Sequence, residues 1–185
     1  MKKILFLSLA FFVFEFANAK PIVKSSIIHY KIYPKNKYKF AEQMEVHSPS
    51  KNYSKTRWDV TWNYKYNKKP NICRVTDLKV KLDIRIIMPQ IPLGHWVKAK
   101  DRKAFDRFYK ALLKHERGHE RIANIASQEI ERNLKNLRAK DCAVLQGTIY
   151  RKANRIIEKY ENRSIEFDET SKHKGDQNRL LNKYL

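Results

Sequence analysis

Glycine, cysteine and acidic charge are all scarce in this chain. Its 185 residues include four glycines, two cysteines and 19 acidic side chains against 40 lysines and arginines. Four scattered glycines make no Gly-rich phosphate loop, and two cysteines make no zinc finger. No Ser-His-Asp or Cys-His arrangement for nucleophilic catalysis is visible. No apolar run reaches the roughly 20 residues that cross a bilayer. The longest, Ile4 to Phe16, is interrupted by Glu15. No cysteine stands near Ala19 to carry a lipid, and no internal repeat or low-complexity linker divides the chain.

What is present begins with Lys2 and Lys3, that apolar run, and then Ala17-Asn18-Ala19. This is the pattern of a secretory signal peptide over residues 1–19, leaving 20–185 as one domain that is exported, to the periplasm or the cell exterior. The formal charge of +21 falls to +20 once Lys2, Lys3 and Glu15 leave. Such a chain is drawn to anionic surfaces, and export makes its own envelope the expected attractor. Nucleic acid is disfavoured, because no RNA-binding aromatic motif accompanies the charge. In an exported protein the even pair Cys73 and Cys142 reads as a disulfide, worth about 4 kcal/mol on the chain-entropy model.

Residues 27–33 read as a strand and 37–47 as a short helix stopped at Ser48-Pro49. In WDVTWNYKY, Trp58, Val60, Trp62, Tyr64 and Tyr66 alternate with polar residues, as a half-buried strand requires. After a turn at NKKPN the alternation resumes from Leu78 to Met88, predicting an antiparallel partner that ends at Pro89. The period then changes. From an N-cap at Asp101, apolar residues recur every three or four positions to Leu137, with His115 and His119 on the same stripe. A second helix is expected from Ala143 to Glu161, then a polar tail that is mostly loop. The class is α+β, with antiparallel strands first and a long helix packed on a second, antiparallel one. Trp58 and Trp62 read as core and sheet surface, and Trp96 as a packed tryptophan.

His115, Glu116 and His119 spell H-E-x-x-H. On a helix, positions i and i+4 are stacked neighbours, so two imidazoles can reach one zinc ion at about 2.0–2.1 Å while Glu116 stands beside its open position as general base. Gly118 fits such a site, since a glycine inside a helix costs about 1 kcal/mol relative to alanine unless something approaches closely. The metzincin continuation would put glycine at 122 and histidine at 125; Ile122 and Ile125 exclude it. From His119 to a helix end near Arg138 is about 28 Å, and a second helix of similar length returns residues 161–175 to the motif. The ligand candidates there are Glu161, Glu166, Asp168, Glu169 and His173.

The order of an aromatic W-x-V-x-W strand, a cysteine opening a strand that ends in proline, H-E-x-x-H, a second cysteine and a late FDETSKHKGDQ resembles a bacterial family of predicted secreted zinc-dependent proteases. In that family the late segment reads Y-D-x-x-T-x-H-G-x-x-Q-G. Phe167, Asp168, Ser171, His173 and Gln177 fall on its positions, whereas Lys174 and Asn178 replace glycines. The resemblance implies a zincin-like metallopeptidase domain cleaving a peptide or protein substrate. Zinc would be held by His115, His119 and His173, with Asp168 orienting an imidazole and Glu161 the runner-up ligand. The rival expectation is a non-catalytic, basic, envelope-associated binding protein whose zinc site is structural or vestigial.

Overall fold

Trp58, Val60 and Trp62 need one dry face. The computed structural model, which describes residues 20–50, 52–171 and 177–185, supplies it as β2, Lys55–Lys69. The expected leader, 1–19, lies outside the described residues. A tight turn through Pro70 and Asn71, the latter at φ 59°, leads into β3, Ile72–Gln90, antiparallel to β2. Left-handed backbone is strained for most residues but tolerated by asparagine. β3 ends at Gln90, one residue past the expected end at Pro89.

The first strand also begins earlier than its composition suggests. It is β1, Ile22–Lys31, and it pairs parallel with Lys81 to Gln90 of β3, giving the order β1-β3-β2. The chain between β1 and β2 holds a 3-10 turn, Lys37–Lys39, and α1, Phe40–His47, whose Phe40 and Met44 are buried one turn apart.

The long helix is α2, Ala99–Leu134. Its N-cap is Lys98, not Asp101; Asp101 lies in the first turn, where a carboxylate favours the exposed N–H groups. It stops at Leu134 because the next residues pair with the sheet instead: β4, Arg138–Ala139, lies against Cys73 and Arg74 of β3. Along one stripe Phe108, Leu112, Ala126, Ile130 and Leu134 are fully buried, and Leu82, Ile84, Ile86 and Met88 of β3 share their core. Burying each large side chain is worth roughly 1.5–3 kcal/mol.

The second helix, α3, spans Cys142–Thr170, capped by the Asp141 carboxylate accepting from the Val144 N–H at 2.8 Å. It outruns the expected end at Glu161 by nine residues, and a further helix, α4, Gln177–Tyr184, follows where loop was expected. Tertiary contacts override weak helix propensity here: Tyr160, Ser164, Phe167 and Asp168 each meet α2. The two helices run with opposite sense, since Glu129 meets Tyr160 while His119 meets Ser164 and Asp168.

Cys73 and Cys142 form the expected disulfide, tying the start of β3 to the start of α3. Such a bond persists in oxidising compartments and is compatible with export. Among the described residues, no helix is long and apolar enough to cross a membrane.

Candidate metal site

Because His115 and His119 are four residues apart on the buried stripe of α2, their rings meet edge to face, 4.9 Å between centroids. Each is less than a tenth exposed. From the returning α3, Asp168 completes a cluster: its Oδ1 lies 2.9 Å from Nε2 of His115 and 2.9 Å from Nε2 of His119, and the two Nε2 atoms are 3.1 Å apart. The resemblance gave Asp168 the role of orienting an imidazole. Here its oxygen meets both ligand nitrogens directly.

Three electron-rich atoms at the corners of a 3 Å triangle are poorly satisfied by protons alone. With both imidazoles donating to Oδ1, their two N–H groups are crowded together, and a metal ion would take the place of both protons. A cation answers all three at once. The edges approach the spacing of about 3.3 Å that tetrahedral zinc with bonds of about 2.0 Å imposes on its ligands. Two imidazoles and a carboxylate are, besides, a donor set suited to zinc. His119 is also oriented from behind, its Nδ1 lying 2.7 Å from Oγ of Ser164, one helical turn before Asp168. Burial pushes the Asp168 carboxyl up, but hydrogen bonds from His115 and His119, and then their charge, outweigh it and hold the group well below the usual carboxylate range. Its side chain is 46 % exposed, so the cluster is closed by α2 and open on the α3 side.

Phe167 explains the glycine in the motif. Its ring stacks on His115 and meets His119 edge-on, both at 5.1 Å, and lies directly over Gly118. A Cβ at position 118 would enter the ring. Phe167 and Gly118 also line a groove of about 340 Å³ shared with Arg121, Ile122, Ile125, Arg163 and Glu166.

Glu116, between the two histidines in the chain, is held from the sheet side. Its Oε1 accepts from Ser54 Oγ and its Oε2 from Thr56 Oγ1, each at 2.6 Å, and the residue is 2 % exposed. Gln177 fixes Ser54 in turn: its amide oxygen accepts from the Ser54 N–H and its amide nitrogen donates to the Ser54 carbonyl.

The sequence-predicted residues are thus partly gathered. His115, His119 and Asp168 converge, and Glu116 stands beside them in the chain. Glu161, Glu166 and Glu169 are exposed on α3, outside the cluster. His173 lies outside the described residues. Trp96, expected to be packed, is exposed. Ser54, Thr56 and Ser164 were not foreseen. Ser164 had a signal, four residues before Asp168 on what proves to be one helix. Ser54 and Thr56 had none, since only tertiary folding brings β2 to α2.

The model of a family described as bacterial protein of unknown function (DUF922) matches residues 27–175. No curated protein and no solved structure matches the chain.

Proposed function

The chain belongs to that bacterial family of unknown function, and we propose that it is an exported zinc-dependent metallopeptidase, with His115, His119 and Asp168 as the protein ligands. The observation that carries the reading is the convergence of two Nε2 atoms and one carboxylate oxygen on H-E-x-x-H. Three protein ligands are the complement of a catalytic zinc, which needs a fourth position free. When bound, zinc would polarise a carbonyl and make water acidic enough to be a nucleophile near neutral pH.

The chain's own residues do the rest. His115 and His119 present Nε2, and Ser164 fixes the ring of His119. The Glu116 carboxylate takes the proton of the attacking water and returns it to the leaving amine. Ser54 and Thr56 hold that carboxylate in one rotamer, each occupying one lone pair of an oxygen and leaving the other for the proton. The groove beside Phe167 offers an apolar floor of Ile122 and Ile125 to a substrate side chain, with Arg121 and Arg163 at its rim.

A second reading rests on the same carboxylate. With both oxygens engaged by hydroxyls and the residue buried, Glu116 also suits a strut between α2 and β2 in a non-catalytic, basic envelope protein whose zinc is structural. Glu116→Gln separates the two. If the protein is a peptidase, the variant keeps its zinc and melting temperature close to normal while cleavage of a broad peptide library disappears. If the intact, zinc-loaded protein cleaves nothing in that library, the strut reading stands.

A further inference from the structure

We propose that the protein docks on the surface of an anionic phospholipid bilayer through a knuckle built from residues 33–38 and 91–98. This is independent of what the metal site does. The two segments leave the sheet side by side, where Lys31 of β1 pairs with Gln90 of β3. They are then cross-tied: His95 Nε2 lies 2.9 Å from the Pro34 carbonyl, and the rings of Tyr33 and His95 meet edge to face at 5.6 Å. Ile91 and Val97 are buried, so the second segment is anchored at both ends, and Arg102 of α2 donates to the His95 carbonyl at 2.8 Å. Between the anchors the chain turns through Gly94 at φ +83° and projects its side chains outward.

Those side chains are the argument. Scattered exposed apolar residues are ordinary. Here the three most exposed large hydrophobic residues among those described all fall on this knuckle: Leu93 fully, Tyr38 at 80 % and Trp96 at 71 %. Tyr33 adds a fourth, about half exposed. Around them stand Lys35, Lys37, Lys98, Lys100 and Lys103, all exposed, with Lys39 beyond them paired to Glu42, while the one acidic residue in 33–39 and 91–103, Asp101, is buried. An aliphatic tip, two amphipathic rings and a lysine collar match the layers of a bilayer interface in order. Leu93 enters the acyl boundary, Trp96 and Tyr38 sit at headgroup level, and the lysines meet lipid phosphates. A soluble polyanion would use the lysines alone and leave Leu93 and Trp96 without a role.

The chain from Lys20 onward contains every described element, and its use keeps the apolar leader from inserting by itself. It should co-sediment with vesicles of equal parts phosphatidylglycerol and phosphatidylcholine, and much less with phosphatidylcholine alone. Tryptophan emission should shift to the blue on binding, and Trp96→Phe should remove the shift while keeping most of the binding, since Trp58 and Trp62 stay on the sheet. Leu93→Asp with Trp96→Asp should lower partitioning on the order of a hundredfold, and each of Lys35→Ser, Lys37→Ser and Lys100→Ser by roughly fivefold. Circular dichroism and melting temperature check that the variants remain folded. The proposal is overturned if the anionic vesicles do not bind, or if the Asp pair, still folded, binds as tightly as the parent. It is equally overturned if heparin displaces the vesicles and binding brings no emission shift, which would leave a polyanion surface in its place.

Discussion

Replacing Gly118 with alanine sets two effects of opposite sign against each other. In an unobstructed helix interior, alanine is favoured over glycine by about 1 kcal/mol. Here the new methyl would enter the Phe167 ring. That ring has no easy retreat, because it is stacked on His115 and edge-on to His119. Overpacking of this kind costs about 1–3 kcal/mol, and more if the backbone must move. The steric effect should win by up to about 2 kcal/mol, a fall in melting temperature of up to roughly 6 °C for a chain of this size. Asp168 follows Phe167 in the chain, so α3 should ease away from α2 and zinc affinity should drop as well. Phe167→Ala provides the control. In that background the obstruction is gone, and Gly118→Ala should stabilise by about 1 kcal/mol, reversing its sign. Thermal unfolding of the four proteins, with and without a chelator, completes the cycle. If Gly118→Ala raises the melting temperature of the otherwise unaltered protein, the close approach of Phe167 is wrong.

Three further outcomes are expected. Metal analysis should find one zinc per chain, lost in His115→Ala, His119→Ala and Asp168→Ala but retained in His173→Ala; loss in the last variant together with retention in Asp168→Ala would exchange the two residues' roles. Tyr160 is buried and its hydroxyl donates to Glu129 at 2.6 Å; with Lys159 it holds that carboxyl below its ordinary value of 4.5. A lowered folded-state pKa means the bond contributes fully above about pH 4.5 and is lost as pH falls through the folded value, so Tyr160→Phe should cost about 1 kcal/mol at neutral pH and less in acid, read from denaturant midpoints. Cys73→Ala with Cys142→Ala should remove about 4 kcal/mol, lowering the melting temperature by on the order of 10 °C. A change within 2 °C or so would mean the reduced chain is already as restricted as the bridged one.

Patterns local in sequence translated well. The alternation around Trp58 and from Leu78 to Met88 became a paired antiparallel hairpin, and the stripe through His115 and His119 became the buried face of α2. The disulfide followed from compartment and cysteine count. What was illegible depended on contacts between distant segments. β1 pairs parallel, and no turn signal encodes such a pairing. The polar run Asn162 to Thr170 has little amphipathic pattern of its own. It is helical because Ser164, Phe167 and Asp168 find partners on α2, and without that extension Asp168 reads as a loop carboxylate beside the cluster rather than within it. Trp96 was read as packed because tryptophan usually is; nothing local reveals that Ile91 and Val97 take the inward positions and leave it outside.

The disulfide and the His115, His119 and Asp168 cluster fasten opposite ends of a single helix: Cys142 opens α3, and Asp168 lies two residues before its end. With the bridge closed, Asp168 is carried on a rod hinged to the sheet and meets the histidines at a high effective concentration. With the bridge open, only packing, the pairing of β4 with β3 and the short link 135–141 keep α3 in place, and the effective concentration of the carboxylate falls. If the cluster holds zinc as proposed, its affinity would be coupled to the redox state of a cysteine pair that lies at the far end of α3. Thermodynamic reciprocity requires the converse: zinc should make the bridge harder to reduce by the same factor. On that reading, a chain still in a reducing compartment would hold metal weakly, and oxidation of the bridge would tighten its grip.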